Sequence, residues 1–208
     1  MKAELENFVF YPNESALIED AMLTKNPWGQ GCVKQVKKRI KEFHLTLTND
    51  TCCYCQRDLR GEFTMVIDVE HILPTSKFKL NTFDMWNLSA SCKRCNMDIK
   101  KADTSFLHQG NISLEDSARY KLAHPNFDEP EEHIMRLVQQ AGRSRIVKYF
   151  IRTPDKGEFT YKYFKLSELE TSSYDEAQGA NKTDPDHVDT FESMRARVDE
   201  LVTSTGAG

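Results

Sequence analysis

Two C-x-x-C pairs dominate the sequence: Cys52 with Cys55 and Cys92 with Cys95, with 36 residues between Cys55 and Cys92. A C-x-x-C turn presents two thiolates from one side, and two such turns complete the tetrahedral sphere of one zinc ion. Four protein ligands leave no open position, so a zinc held this way is structural rather than catalytic. Lys93 and Arg94, inside the second pair, are placed to offset the surplus negative charge of four thiolates. Cys53 leaves a second pairing open, Cys53-x-Cys55, although the two-residue spacer of Cys52 and Cys55 matches the other pair better. Cys32, isolated in a helical stretch, is expected to pack.

The amino-terminal MKAELENFVFYPNE lacks the cationic and then apolar layout of a secretory signal. No apolar run approaches the roughly 18 residues of a membrane span. The expected compartment is therefore the cytoplasm, with no membrane partner, where thiols stay reduced and the clustered cysteines read as metal ligands. A hydrophobic fraction of 39% in 208 residues is enough for a real core and excludes wholesale disorder. The net charge of −4 argues against an indiscriminate polyanion binder, but it is unevenly spread: residues 32–50 and 141–170 each carry +3, and residues 171–208 carry −5. Contacts to a nucleic acid would come from Lys34, Lys37, Lys38, Arg39 and Lys41, and from Arg143, Arg145 and Lys148. Solvated helix and strand faces are the plainer reading of the same charges.

Patterning predicts a helix over 13–23 capped by Asn13, and a second over 31–43 with Val33, Val36, Ile40 and Phe43 on one side. A strand is expected over 63–69, a helix from about 89 to 101, and a helix over 130–140 with Pro130 at its first position. Residues 145–154 and 158–166 read as two strands of a hairpin around Asp155-Lys156-Gly157. A linker then covers 171–190, followed by an amphipathic helix bearing Val188, Phe191, Met194, Val198 and Leu201. The fold class is α+β, in four parts: a helical segment 1–48, a cysteine-framed core 49–110, an accessory helix and hairpin 111–170 packed on it, and an acidic linker and helix 171–208.

The gap between the pairs exceeds the roughly 15 to 20 residues of an ordinary zinc ribbon. It holds Glu70-His71 at a strand end, Pro74, Trp86-Asn87-Leu88, and then Asn96 beside the last cysteine. On these residues the stretch 50–103 resembles the HNH nuclease family and its ββα-metal motif. That motif is a strand ending in an acid–His or His–His pair, a loop bearing an Asn, and a helix bearing a third polar ligand. Here the third position is Asn96 rather than His, and the first is Glu70 rather than Asp or His. The runs EHILPTSKF, WNLSASCKRCN and HPNFDEPEEH also resemble HNH effector subunits of bacterial anti-phage systems of the Septu and retron-linked kind, which usually accompany an ATPase.

The resemblance implies a DNA endonuclease. His71 would be the general base, since neutral imidazole accepts a proton from water at neutral pH. Glu70 and Asn96 would hold one hard cation, Mg²⁺ or Mn²⁺, with Asp68 as an auxiliary ligand. Asn87 would brace the loop to the strand end, a role that overlaps with that of an ordinary turn residue. Lys77, Lys100 and Lys101 would join Lys37 and Lys38 on phosphates, or Lys100 and Lys101 would simply complement a helix end. On an ideal strand Glu70 and His71 point to opposite faces, so both can serve one site only if the strand ends or bends there. His124, Asp128 and His133 form a second candidate cluster, with a packed loop as the plainer reading. Tyr149, Phe150, Tyr161, Tyr163 and Phe164 could stack bases, though alternation favours core positions for at least half of them. A co-encoded ATPase and a homo-oligomer are the expected protein partners. The alternative function is a non-catalytic zinc-ribbon module that binds nucleic acid or protein.

Overall fold

A computed structural model describes residues 2–172. The expected linker and helix beyond 172 lie outside the described residues. Among the described residues no helix is long and apolar enough to cross a membrane.

Helix α1 runs Pro12–Met22. It starts one residue before the expected Asn13 because Pro12 has no N–H to leave unsatisfied and its φ is already helical. The Glu14 carboxylate accepts the Tyr11 N–H (2.9 Å) and closes the first turn. A short 3₁₀ turn over Gly31–Val33 leads into α2, Lys34–Leu47. Val36, Ile40 and His44 recur every four residues along its buried side, with Lys37 and Lys41 half-buried at its flank and Lys34 and Lys38 exposed. Ala21, Val33, Val36, Ile40, Phe83 and Leu88 form the core between these helices and the sheet behind them.

That sheet is an antiparallel pair, β1 (Ile67–His71) and β2 (Leu88–Cys92), in register from Ile67 opposite Cys92 to His71 opposite Leu88. The expected strand over 63–69 begins later, because Thr64–Val66 wind into a 3₁₀ turn. The expected helix from 89 is corrected more sharply. Residues 88–92 are extended and wholly buried. Their second edge also pairs, since the Cys53 N–H donates to the Ala90 carbonyl (3.0 Å). The helix starts only at Arg94 and runs to Lys100, wound in the wider π form, with the Lys101 N–H reaching the Asn96 carbonyl (2.7 Å). The order is thus strand, long loop, strand, helix.

The carboxyl-terminal part also departs from expectation. The helix over 130–140 shrinks to α3, Pro130–His133, and gives way to β3, Ile134–Ala141, paired with β4, Ser144–Ile151. Gly142, at φ 59°, supplies the left-handed conformation that this two-residue hairpin loop requires. The expected second strand is instead helix α4, Lys156–Tyr163, capped by the Asp155 carboxylate on the Lys156 N–H. Gly157 lets α4 meet the end of α3: a Cβ there would sit 2.4 Å from the His133 carbonyl oxygen. The pair β5, Thr171–Ser172, adds a third strand beside β4. A large core of Tyr54, Ile72, Leu73, Phe106, Tyr120, Leu122 and Phe164 joins this half to the cysteine turns.

Candidate metal centre and cleft

The four ligand atoms of Cys52, Cys55, Cys92 and Cys95 lie within 4.8 Å of one another, all buried, and make the one such group of three or more potential ligands among the described residues. The Cys55 and Cys92 sulfurs are 3.8 Å apart, which is about the edge of a tetrahedron with zinc–sulfur bonds of about 2.3 Å. The Cys92 N–H donates to the Cys52 sulfur (3.3 Å), the kind of contact that favours a thiolate. Hydrogen bonding to the other three thiols, together with burial, holds the Cys95 thiol above its ordinary range. A divalent cation would remove that penalty. Cys53 is buried outside the group, and burial pushes its thiol up. The Cys53-x-Cys55 alternative therefore falls away. Cys32 is exposed rather than packed.

The other half of the molecule holds the first turn in place. The Gln56 amide donates to the Ile134 carbonyl and accepts the Arg136 N–H, and the Tyr149 hydroxyl donates to the Cys55 carbonyl (2.6 Å). Arg94 spans the Phe164 and Lys165 carbonyls and the Glu168 carboxylate, and the cysteines beside it help hold its charge. Lys93 pairs instead with Asp68 (2.8 Å).

Glu70 and His71 keep to opposite faces of β1. The Glu70 carboxylate is fully buried, 2.8 Å from the Lys100 ammonium, which is itself 1% exposed. It also accepts the Tyr54 hydroxyl (3.0 Å). Burial raises its pKa against the opposing pull of Lys100 and Tyr54. Lys100 donates further to the His71 carbonyl (2.9 Å). Lys100 is therefore an interior cation rather than a surface one, and Glu70 does not share a face with His71.

His71 packs on the side of α2. Its Nε2 is 3.0 Å from the Thr82 carbonyl, and since a carbonyl only accepts, Nε2 carries the proton and Nδ1 is the basic nitrogen. The Trp28 ring stands edge-on to the imidazole, centroids 4.5 Å apart. Burial lowers the His71 pKa to about 4, with the Thr82 bond acting against it, so the ring is neutral at pH 7. Asn87 is fully buried; its side-chain oxygen accepts the Leu73 N–H (2.7 Å), and its amide donates to the Leu73 and Asn81 carbonyls. It thus ties the chain after β1 to the loop that carries Thr82. Asn126 does the same for β2, donating to the Trp86 and Leu88 carbonyls.

His71, Asp68, Asn96 and Trp28 line a cleft of about 780 Å³ together with Lys34, Lys37, Lys38 and Lys41 from α2. The Asn96 amide donates to Asp68 (3.2 Å). Lys77, bonded to Thr104, and Lys101 are exposed but do not line it. Arg39 turns to the opposite side of α2, against Glu14 and the rings of Phe8 and Tyr11. His124, Asp128 and His133 form no ligand group, although the Asp128 carboxylate accepts the His124 backbone N–H (2.7 Å). His124 is stacked on Phe127, Asp128 takes Lys156 and Ser117, and His133 meets Thr153. Tyr149 and Phe164 are buried core residues. The sequence reading missed Trp28, Tyr54, Thr82 and Asn126. Of these only Tyr54, a hydroxyl-bearing ring inside the first cysteine turn, carries a local signal.

The chain is similar to the Septu protein PtuB of Bacillus thuringiensis, 27% identical over 177 residues that cover 85% of this chain and 58% of that protein. It therefore spans less than two thirds of that relative's length. No known family profile matches the chain, and no solved structure gives a significant match.

Proposed function

We propose that the chain is a metal-dependent HNH endonuclease that hydrolyses phosphodiester bonds in DNA, and that it serves as the nuclease subunit of an anti-phage defence system of the Septu kind. The observation that carries this reading is His71: a neutral imidazole with its tautomer fixed by Thr82, in one cleft with Asp68, Asn96 and four lysines. A zinc-ribbon binding module has no use for an oriented base in that place.

In this reading Nδ1 of His71 takes the proton of the attacking water, while Trp28 and the Thr82 carbonyl hold the ring against rotation. The α2 lysines hold the phosphates that flank the scissile bond. Asn87 keeps the loop and the end of β1 at a fixed separation. A bound Mg²⁺ or Mn²⁺ would supply charge neutralisation at the phosphate, and attack of the water with rupture of the P–O3′ bond gives a 5′ phosphate on one product and a 3′ hydroxyl on the other. Asn96 and an acid of β1 supply the oxygen donors that such a hard cation prefers.

Residues 51–110 carry a net charge of only +1, so affinity for DNA rests on α2 and is strongly salt-dependent. A co-encoded protein, an ATPase in this reading, would then deliver the nuclease to its target. The similarity to a Septu protein supports a co-encoded partner. The test is cleavage of supercoiled plasmid by the purified chain in Mg²⁺, with and without the co-encoded protein and with a chelator as control. Chelator-sensitive nicking is expected, stronger with the partner. No cutting under any of these conditions would leave the binding-module reading.

A further inference from the structure

The charge of the cleft beside His71 is one-sided. Lys34, Lys37, Lys38 and Lys41 line it from α2 and recur every three or four residues, a stripe of about 10 Å along the helix axis. Among the described residues two carboxylates line it with them, and each already has a lysine: Asp68 takes Lys93 (2.8 Å), and Glu42 reaches Lys38 across exposed surface (3.7 Å). Leu45, Ile67, Val69 and Met97 add apolar surface to the same cleft, and Met97 is 58% exposed. Such a lining suits a chain that carries several negative charges with apolar groups between them.

The sequence beyond β5 holds a segment of that kind. Residues 184–192 read DPDHVDTFE: four acids, Asp184, Asp186, Asp189 and Glu192, with no Lys or Arg among them and with Val188 and Phe191 in between. From 186 to 192 a chain covers about 9 Å if wound as a helix and about 20 Å if extended, so in either form it matches the length of the lysine stripe. The cleft is also within reach. Glu168 is 3.0 Å from Arg94, the first residue of the helix that brings Asn96 and Met97 to the cleft. The twelve residues that follow Ser172 can extend up to about 40 Å, about the width of a domain of this size. We propose that residues 184–192 dock in the cleft of their own chain, with their carboxylates on the α2 lysines, and stand in for DNA phosphates until nucleic acid displaces them. The inference rests on the nuclease reading for its consequence: an intramolecular competitor lowers the apparent affinity for DNA in proportion to the fraction of molecules whose cleft is open.

The test is carbodiimide cross-linking of the full chain, which joins carboxylates to amines in direct contact, with the joined peptides identified by mass spectrometry. Links from Asp184, Asp186, Asp189 or Glu192 to the four α2 lysines within one molecule are expected, and an excess of a short DNA duplex should suppress them by at least about fivefold. The variant Asp184→Asn/Asp186→Asn/Asp189→Asn/Glu192→Gln should bind that duplex about tenfold more tightly by fluorescence anisotropy at low salt, a gain that shrinks as salt screens the contact. The variant Asp175→Asn/Glu176→Gln/Asp199→Asn/Glu200→Gln changes the charge of the chain equally outside the run and should stay within about twofold of the parent. Equal tightening in the two variants overturns the assignment, as do an absence of links and links from the run that reach other lysines or join two copies. The two readings fail separately. A chain that shows the links and cuts no DNA keeps the docked run and loses the nuclease. A chain that cuts DNA and shows no links keeps the nuclease and loses the docked run.

Discussion

Lys100→Met is the sharpest probe of the interior beneath the cleft. The Lys100 ammonium and the Glu70 carboxylate are 2.8 Å apart, at 1% and 0% side-chain exposure. Removing the ammonium leaves a carboxylate in a dry site with only the Tyr54 hydroxyl on one oxygen, while Oε2 has no partner at all. Breaking a buried pair in this way costs about 3 to 5 kcal/mol, a large share of the roughly 5 to 15 kcal/mol that holds a domain together. For a chain of this size that is a fall of about 6 to 20 °C in melting temperature. Glu70→Gln added to Lys100→Met removes the stranded charge and should recover most of the loss. The assay is urea unfolding of the zinc-loaded protein, followed by tryptophan fluorescence, for the parent, both single variants and the double. A Lys100→Met protein within about 1 kcal/mol of the parent, or a double variant no better than the single, would refute the pairing.

Cys92→Ser should release the zinc and unfold the surrounding core, read by zinc content and circular dichroism; retained zinc with an unchanged melting temperature would contradict the four-thiolate assignment. Asn87→Ala strands the buried Leu73 N–H and should cost about 1 to 3 kcal/mol in a urea titration. Acid should destabilise the fold through His44, whose pKa burial lowers to about 3. The unfolded chain takes up this proton below about pH 6.5 and the folded chain does not, so stability falls as pH drops from about 6.5 toward 3. His44→Leu should make that slope shallower by about 1.4 kcal/mol per pH unit, measured by urea titrations from pH 7 to pH 4.5.

The four-cysteine framework was legible because its information is local: two-residue spacers fix which sulfurs face one another, and only the role of Cys53 needed the fold. The Glu70-His71 pair was legible in position but not in consequence. What turns Glu70 inward is Lys100, thirty residues on, together with Tyr54 from the first cysteine turn, and neither has a periodicity that links it to β1. Likewise Trp28 lies far from His71 in sequence and meets it only because α2 packs across the ribbon. Residues 89–92 read as helix in the sequence but are extended, a form imposed from both edges, by β1 and by Cys53. Residues 134–140 are mostly good helix formers that become a strand once β4 is available to pair, which local propensity does not register.

The most direct measurement is the rate of DNA cutting by His71→Ala protein, in Mg²⁺ and with the co-encoded protein present, at a zinc content and melting temperature equal to those of the parent. Removing a general base should slow cutting by about 10²- to 10⁴-fold. A His71→Ala protein that cuts as fast as the parent would remove His71 as the base and contradict the proposed site.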